Sequence, residues 1–146
     1  MARRSLQILS SYIAGVFLAA LVLGWGHAAH AQSGSIKIGF LIPLTGPLAT
    51  PGKDMDDGFK LYWEQANFLA GGRKVEIVTA DTTCNPDQAL TQARRLALQE
   101  KVHFIVGPLC GHEGPAVAQV SKENGIPVVM DTAGADNVTK WERTPT

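Results

Sequence analysis

The stretch IKIGFLI, residues 36–42, is a nearly continuous run of apolar side chains, a pattern that is typical of a β-strand buried on both faces. Three more segments predict strands: KVEIVTA at residues 74–80, VHFIVG at 102–107 and IPVVM at 126–130. Strands that are buried on both faces need a covering layer on each side of the sheet. The segments between these strands should therefore supply helices.

Helical patterns occupy all three of the intervening segments. The first runs from Asp54 to Leu69 with one apolar face, and Gly71-Gly72 would close it. Asn85-Pro86 provides a cap and a first residue for the second helix, and the third covers Gly114–Asn124. This alternation predicts an α/β fold, a parallel sheet with helices on both faces that is joined by right-handed crossovers.

The loops that follow the strands of a parallel sheet emerge at one edge, and ligands bind there at the crevice where the strand order reverses. The loops expected at this edge are Pro43–Lys53, Asp81–Asn85, Pro108–Glu113 and Asp131–Asp136. The sequence then ends without an element that would complete the sheet. We therefore expect this chain to be a fragment of a longer protein.

Residues 1–31 have the features of a secretory signal peptide. Arg3 and Arg4 precede an uncharged, mostly apolar run at residues 13–26, and Ala29-His30-Ala31 offers small residues at both positions of a cleavage site. The apolar run is shorter than the roughly 20 residues of a membrane-spanning helix, which favours cleavage over anchoring. We expect an exported protein that is cleaved near Ala31, by either the general or the twin-arginine route.

The composition narrows the range of functions. The 13 Lys and Arg residues balance the 13 Asp and Glu residues, and no basic run is interleaved with aromatic residues. A nucleic-acid partner is therefore not expected. No cluster of His, Cys and carboxylate residues has metal-ligand spacing, so neither a metal nor another cofactor is predicted.

The stretch GPLCGHEGP, residues 107–115, raises the question of catalysis. Cys110 lies two residues before His112, so a nucleophile with its general base is one interpretation. Cys84, however, follows another strand at the same edge of the predicted sheet. Two cysteines in an exported chain favour a disulfide, which would leave no free thiol. A disulfide between Cys84 and Cys110 explains most of the pattern, and catalysis is the alternative.

The glycines of this stretch match neither a dinucleotide-binding motif nor a P-loop, so they support a phosphate site only weakly. What remains is the start of the helix near Gly114, whose unpaired amide groups would favour a carboxylate or a similar anion. His112 is either a solvated loop residue or a hydrogen-bond donor in a ligand pocket, and both interpretations stay open.

Four segments, taken in order, resemble the branched-chain amino acid-type solute-binding proteins of ABC importers: IKIGFLIPLTGPLATPGKDMDDGFKLYWEQAN, DTTCNPDQA, FIVGPLCG and NGIPVVMDTAGADNVT. The resemblance runs from Ser35 to about Thr139, and both cysteines lie where the family has its disulfide. It implies a type I fold of two α/β lobes, of which residues 32–146 would be most of the first. It also implies hinge closure on a ligand, recognition of the closed form by a membrane permease, a periplasmic monomer and no catalytic activity.

The resemblance further implies which residues hold the acid group of a ligand. These are Gly111 after the third strand and Thr132-Ala133-Gly134 after the fourth, with His112 beside Gly111. Members that bind leucine or valine commonly carry a hydroxyl where Gly111 and Gly134 stand, and an aromatic residue where Pro51 stands. All three departures remove side-chain volume, which favours an aromatic or phenylpropenoid carboxylate over a branched-chain amino acid.

Alternatives to this function remain open on the sequence alone. Asp131 lies beside the expected acid-binding residues and could pair with the ammonium group of an amino acid. The same pair of lobes also serves as the sensing part of receptors and regulators, so a ligand sensor is a second class of function. A Cys-dependent enzyme is the third.

Overall fold

A computed structural model describes residues 34–136 and residue 138, and the predicted signal peptide lies outside this range. The described strands are β1 (Ile36–Ile42), β2 (Leu69–Ala70), β3 (Arg73–Asp81), β4 (Phe104–Val106) and β5 (Val128–Val129). The helices are α1 (Ala49–Gln65), α2 (Pro86–Arg94) and α3 (Gly114–Asn124). A π-helical turn, Arg95–Gln99, extends α2, and a 3-10 turn, Gly111–Glu113, precedes α3. In this part of the chain no helix combines the length and the apolar character needed to cross a membrane.

The strands form one sheet in the order β2-β3-β1-β4-β5. β1 pairs in parallel with β3 on one side and with β4 on the other, and β5 pairs in parallel with β4. β2 is the exception, because it runs antiparallel to β3 at the edge of the sheet. The predicted α/β fold is confirmed, with a sheet that is mostly rather than wholly parallel.

Helices cover both faces of the sheet, as the sequence predicted. Phe40 of β1 stacks on Phe59 of α1, with 4.3 Å between the ring centroids. Its neighbour Leu41 belongs instead to the core that includes Leu96 and Val117. Because adjacent residues of a strand point to opposite faces, α1 covers one face while the α2 and α3 segments cover the other.

The bounds of α1 differ from the predicted Asp54–Leu69. The helix begins five residues earlier, at Ala49, because Pro51 lies in its first turn, where the missing proline amide has no hydrogen bond to lose. It ends earlier because Asn67 and Phe68 take positive φ values of 52° and 50°. Gly71-Gly72 therefore forms the turn of an antiparallel β2–β3 hairpin instead of closing the helix.

A close backbone approach fixes the start of α1 against the end of β1. A side chain at Gly52, in the first turns of the helix, would collide with the carbonyl oxygen of Pro43. Gly58, farther along the same helix, has nothing within 4 Å of an added Cβ. Only the first of these two helical glycines is required by packing.

We therefore predict opposite effects for two alanine substitutions in α1. Gly52→Ala should destabilise the protein by about 1–3 kcal/mol, since the collision with Pro43 forces the helix away from the sheet. Gly58→Ala is the matched control and should stabilise it by up to about 1 kcal/mol, because alanine favours a helix more than glycine does. Urea unfolding followed by circular dichroism measures both, and equal effects would contradict the predicted contact.

Candidate functional site

The carboxyl ends of the four parallel strands open into loops at one edge of the sheet. The crevice lies between β1 and β4, because the chain leaves β1 for β3 on one side and then crosses to β4 on the other. The loop after β1 is shorter than predicted, since α1 already begins at Ala49. The loop after β4 starts at Gly107, whose φ of 106° and missing side chain let the backbone pass the carbonyl of Leu41.

Asp81, at the end of β3, accepts hydrogen bonds from the loop that follows β1 and so holds this loop in place. Its Oδ1 accepts hydrogen bonds from the amides of Leu44 at 2.8 Å and Thr83 at 2.9 Å. Its Oδ2 accepts one from the hydroxyl of Thr45 at 2.6 Å. Burial alone would raise the pKa of Asp81, but the bonds from Thr45, Thr83 and Leu44 together outweigh it and lower the pKa below its ordinary 3.8. The ionised carboxylate is a fixed part of this edge.

A disulfide joins Cys84 to Cys110, with 5.7 Å between their Cα atoms. It confirms the predicted pairing and links the loop after β3 to the loop after β4. The two residues are the only cysteines of the sequence. Neither is available as a nucleophile, so the alternative of a Cys-dependent enzyme is wrong.

His112 adds a second link between the same two loops. Its Nε2 lies 3.0 Å from the carbonyl oxygen of Cys84, to which it donates in the tautomer that carries hydrogen on this nitrogen. The side chain is otherwise exposed. The bond leaves Nδ1 as the ring nitrogen through which His112 could contact a ligand. Among the described residues, no group of three or more His, Cys, Asp or Glu side chains is placed to hold a metal ion.

Glu113 follows in the 3-10 turn and has no exposed surface. Its Oε2 accepts the amide hydrogen of Cys110 at 3.4 Å, which caps the turn, whereas Oε1 has no hydrogen-bond partner among the described residues. Burial raises the pKa of Glu113 above its ordinary 4.5, although Thr82, the amide of Cys110, His112 and the amide of Asn85 favour the ionised form. The C-x-x-E spacing of a capping box is the sequence signal that marks this residue.

Gly111 and Gly134 lie next to each other at the crevice. Among the described residues, the nearest atom to a Cβ built on Gly111 would be the backbone nitrogen of Gly134, at 3.9 Å. The nearest to one built on Gly134 would be the carbonyl oxygen of Thr132, at 4.0 Å. Neither residue has a positive φ. Because neither backbone conformation nor neighbouring atoms require glycine there, the two positions leave open space beside the start of the α3 segment.

The other predicted ligand-binding residues have distinct environments. The hydroxyl of Thr132 lies 3.3 Å from Oδ1 of Asp131, which also accepts the Thr132 amide at 2.9 Å. Ala133 is buried, and a Cβ on Gly114 would touch its methyl group, so only its backbone can reach a ligand. Pro51 is exposed on α1, which follows the other strand bordering the crevice. The structure therefore brings together Gly111, Thr132 and Gly134, and places Pro51 on a separate element.

Comparison with known proteins identifies the family. The Periplasmic binding protein family matches residues 35–146, and the chain belongs to it. The Leu/Ile/Val-binding protein BraC3 of Rhizobium johnstonii is 33% identical over 120 residues, which are 81% of this chain and 32% of that protein. The chain thus spans about a third of the length of this relative. This is a family of binding proteins, in agreement with the prediction that the chain is not an enzyme.

Solved structures of solute-binding proteins share the fold. One is from R. palustris in complex with benzoate, with a TM-score of 0.68 and 30% identity over 73% of this chain and 29% of its own. Another is LivJ from Streptococcus pneumoniae in complex with isoleucine, with a TM-score of 0.67 and 30% identity over 73% of this chain and 31% of its own. The same lobe architecture thus occurs in proteins that hold an aromatic acid and in proteins that hold a branched-chain amino acid.

The disulfide should be a major source of stability. Replacing both Cys84 and Cys110 with alanine is expected to lower the free energy of unfolding by about 3–4 kcal/mol, because the bond closes a loop with a sequence separation of 26 residues. Urea unfolding of the oxidised protein and of the double variant measures the difference, and wild-type protein under reducing agent should match the variant. Labelling of both thiols in native, unreduced protein would contradict the pairing.

Loss of the Asp81 carboxylate should have a pH-dependent cost. The pKa of Asp81 is lowered by folding, so its stabilisation is complete above 3.8 and is lost as the pH falls below that value. Asp81→Asn should therefore cost about 1–2 kcal/mol at neutral pH and progressively less below about pH 4. The exposed Asp57 provides the control, since Asp57→Asn should show no such trend. A cost for Asp81→Asn that stays constant with pH would refute the role of the charge.

Proposed function

We propose that residues 32–146 form the N-terminal lobe of the periplasmic solute-binding component of an ABC-type importer. This component captures a small organic carboxylate and delivers it to a membrane permease. Family membership and the two ligand-bound structural relatives support the proposal. Residues 1–31 would be removed on export by cleavage near Ala31. A second lobe and a hinge, which the longer relatives have room for, would complete the protein and close on the ligand.

The observation that carries this function is the open space at Gly111 and Gly134. It lies at the 3-10 turn that leads into α3. The amides of Glu113 and Gly114 donate to the carbonyls of Cys110 and Gly111, so the amides without a carbonyl partner within this helical segment are those of Gly111 and His112. Such amides favour a carboxylate, and the hydroxyl of Thr132 can add a donor if it turns away from Oδ1 of Asp131. His112 could supply a further one through Nδ1 only as the doubly protonated imidazolium, because its Nε2–H already donates to the carbonyl of Cys84. The acid group of the ligand would thus be held largely by backbone.

The absent side chains also bear on the rest of the ligand. With no Cβ at either glycine, the volume next to the acid group can take a planar ring, and the structural relative with benzoate shows that members of this fold accept one. An aromatic or phenylpropenoid acid also needs no partner for an ammonium group. We therefore favour such an acid as the ligand.

A branched-chain amino acid is the second candidate. The carboxylate of Asp131 lies beside Thr132, is exposed, and could pair with an ammonium group. Its Oδ1 is already bonded to the Thr132 amide and hydroxyl, which leaves Oδ2 for this purpose. Relatives of both kinds exist, so a direct comparison of ligands is required.

Calorimetry on the full-length protein should show that benzoate or cinnamate binds more tightly than leucine. A buried ring removes more apolar surface from water than a leucine side chain does, at about 25 cal/mol per Å². The bound acid should be recovered chemically unchanged. Tighter binding of leucine by tenfold, about 1.4 kcal/mol, would overturn the preference for a ring, and failure of all three ligands to bind would overturn the proposed function.

A matched pair of variants tests the location of the site. Gly134→Val should weaken binding of the aromatic acid more than that of leucine, because a rigid branched side chain fills the space that a ring needs. Gly58→Val introduces the same side chain at an open position on α1 and should leave both affinities unchanged. Equal effects of the two substitutions would place the ligand elsewhere.

A further inference from the structure

Glu113 is a buried carboxyl group that forms no ion pair in the part of the chain that the structure describes. The other buried carboxylate, Asp56, forms an ion pair with Lys60 at 2.6 Å. Glu113 forms no ion pair with any described residue, and its Oε1 is fully buried and unpartnered. Burial of an ionised carboxylate without a counter-charge is costly. A structural cap alone does not explain a charge here, since a neutral glutamine would cap the turn as well.

The position of Glu113 connects it to the acid-binding loop. It lies two residues after Gly111 and forms two hydrogen bonds with the backbone of Cys110. Its Oε2 accepts the Cys110 amide hydrogen, and its own amide donates to the Cys110 carbonyl at 3.0 Å. Gly111 lies inside this closed turn. A ligand carboxylate held at Gly111 would therefore bring a second negative charge close to that of Glu113.

We propose that Glu113 is a positioning residue of the acid-binding loop and that its carboxyl group takes up a proton when an acid ligand is captured. The inference rests on the proposed function. Two carboxylates that lie close together repel each other, the more strongly when one of them is buried as Glu113 is, and protonation of one removes the repulsion. The proton comes from solvent and binds to the free Oε1. Oε2 continues to accept the Cys110 amide hydrogen, and the new O–H can donate toward Thr82, which is also buried.

The direction in which ligand affinity changes with pH follows from the protonation of Glu113. Burial already raises the pKa of Glu113 above 4.5, and a bound carboxylate raises it further. Acid ligands should therefore bind more tightly as the pH falls toward the raised pKa and more weakly as it rises. The charged or titratable residues on the elements packed around the turn are His112, Asp81, Asp87, Arg94, Lys122, Glu123, Asp131 and Asp136. Histidine is the residue type that most often exchanges a proton near neutral pH, so His112 needs its own control.

The test is calorimetry of benzoate, cinnamate and leucine binding to the full-length protein, from about pH 8 to about pH 5, in two buffers that differ in ionisation enthalpy. Wild-type protein should take up a fraction of a proton on binding, and its affinity should rise about fivefold or more across the range. Glu113→Gln should bind with no proton uptake and a flatter pH profile. His112→Gln should retain the uptake, and Glu113→Asp, which keeps a carboxyl group, should retain it in part.

The outcomes separate this inference from the proposed function. Binding to wild-type protein without proton uptake, or equal uptake in wild type and Glu113→Gln, overturns the role of Glu113 while leaving solute binding intact. Loss of uptake in His112→Gln alone would assign the proton to the histidine and likewise overturn it. Failure of all three ligands to bind overturns the proposed function and this inference together. If Glu113→Gln does not fold, the wild-type and His112→Gln titrations still test the inference, because absence of uptake in wild type or its loss in His112→Gln overturns it.

Discussion

Burial of β1 on both faces is the constraint on which the rest of the structure depends. Ile38, Phe40, Leu41 and Ile42 expose at most 1% of their surface, so helices must cover both sides of this strand. A chain that enters at β1 can meet this demand only by crossing to one neighbouring strand over one face and to the other neighbour over the opposite face. The chain therefore leaves the carboxyl ends of the neighbouring strands β1 and β4 toward opposite faces of the sheet. The crevice that forms there is thus a consequence of burying an apolar strand in the middle of the sheet.

The loops around the crevice are held by several independent contacts. Asp81 binds the loop after β1 through Leu44 and Thr45, while the Cys84–Cys110 disulfide and His112 connect the loop after β3 to the loop after β4. Loops that are ordered before a ligand arrives lose little conformational entropy on binding. This rigidity suits a site in which backbone amides and empty volume, rather than long side chains, contact the ligand. The selectivity of such a site depends on where the loops are held.

The sequence predicted the features that depend on local patterns. Apolar runs identified the parallel strands, Asn85-Pro86 marked the start of α2, and the cysteine count indicated the disulfide. The hairpin at Gly71-Gly72 was missed because a glycine pair can end a helix or form a tight turn, and the positive φ values of the preceding residues decide between them. The hydrogen bonds from Leu44 and Thr45 to Asp81 join loops that are distant in sequence, and so do the contacts that bury Glu113 beside Thr82. No local pattern specifies either feature. Glu113 alone left a short-range signal, its capping-box spacing.

The distribution of charge explains how an acid could be held at an edge that carries the carboxyl groups of Asp81, Glu113 and Asp131. The carboxylate of Asp81 accepts hydrogen bonds from the amides of Leu44 and Thr83 and from the hydroxyl of Thr45. One oxygen of Asp131 accepts the amide hydrogen of Thr132. These bonds stabilise the ionised forms locally and reduce their effect on a nearby anion. Glu113 differs from these two, because one of its oxygens has no partner among the described residues and water does not reach it. Among these three groups it is therefore the one whose ionisation competes most directly with that of a bound acid, and Oε2 can keep accepting the Cys110 amide hydrogen when Oε1 takes up the proton.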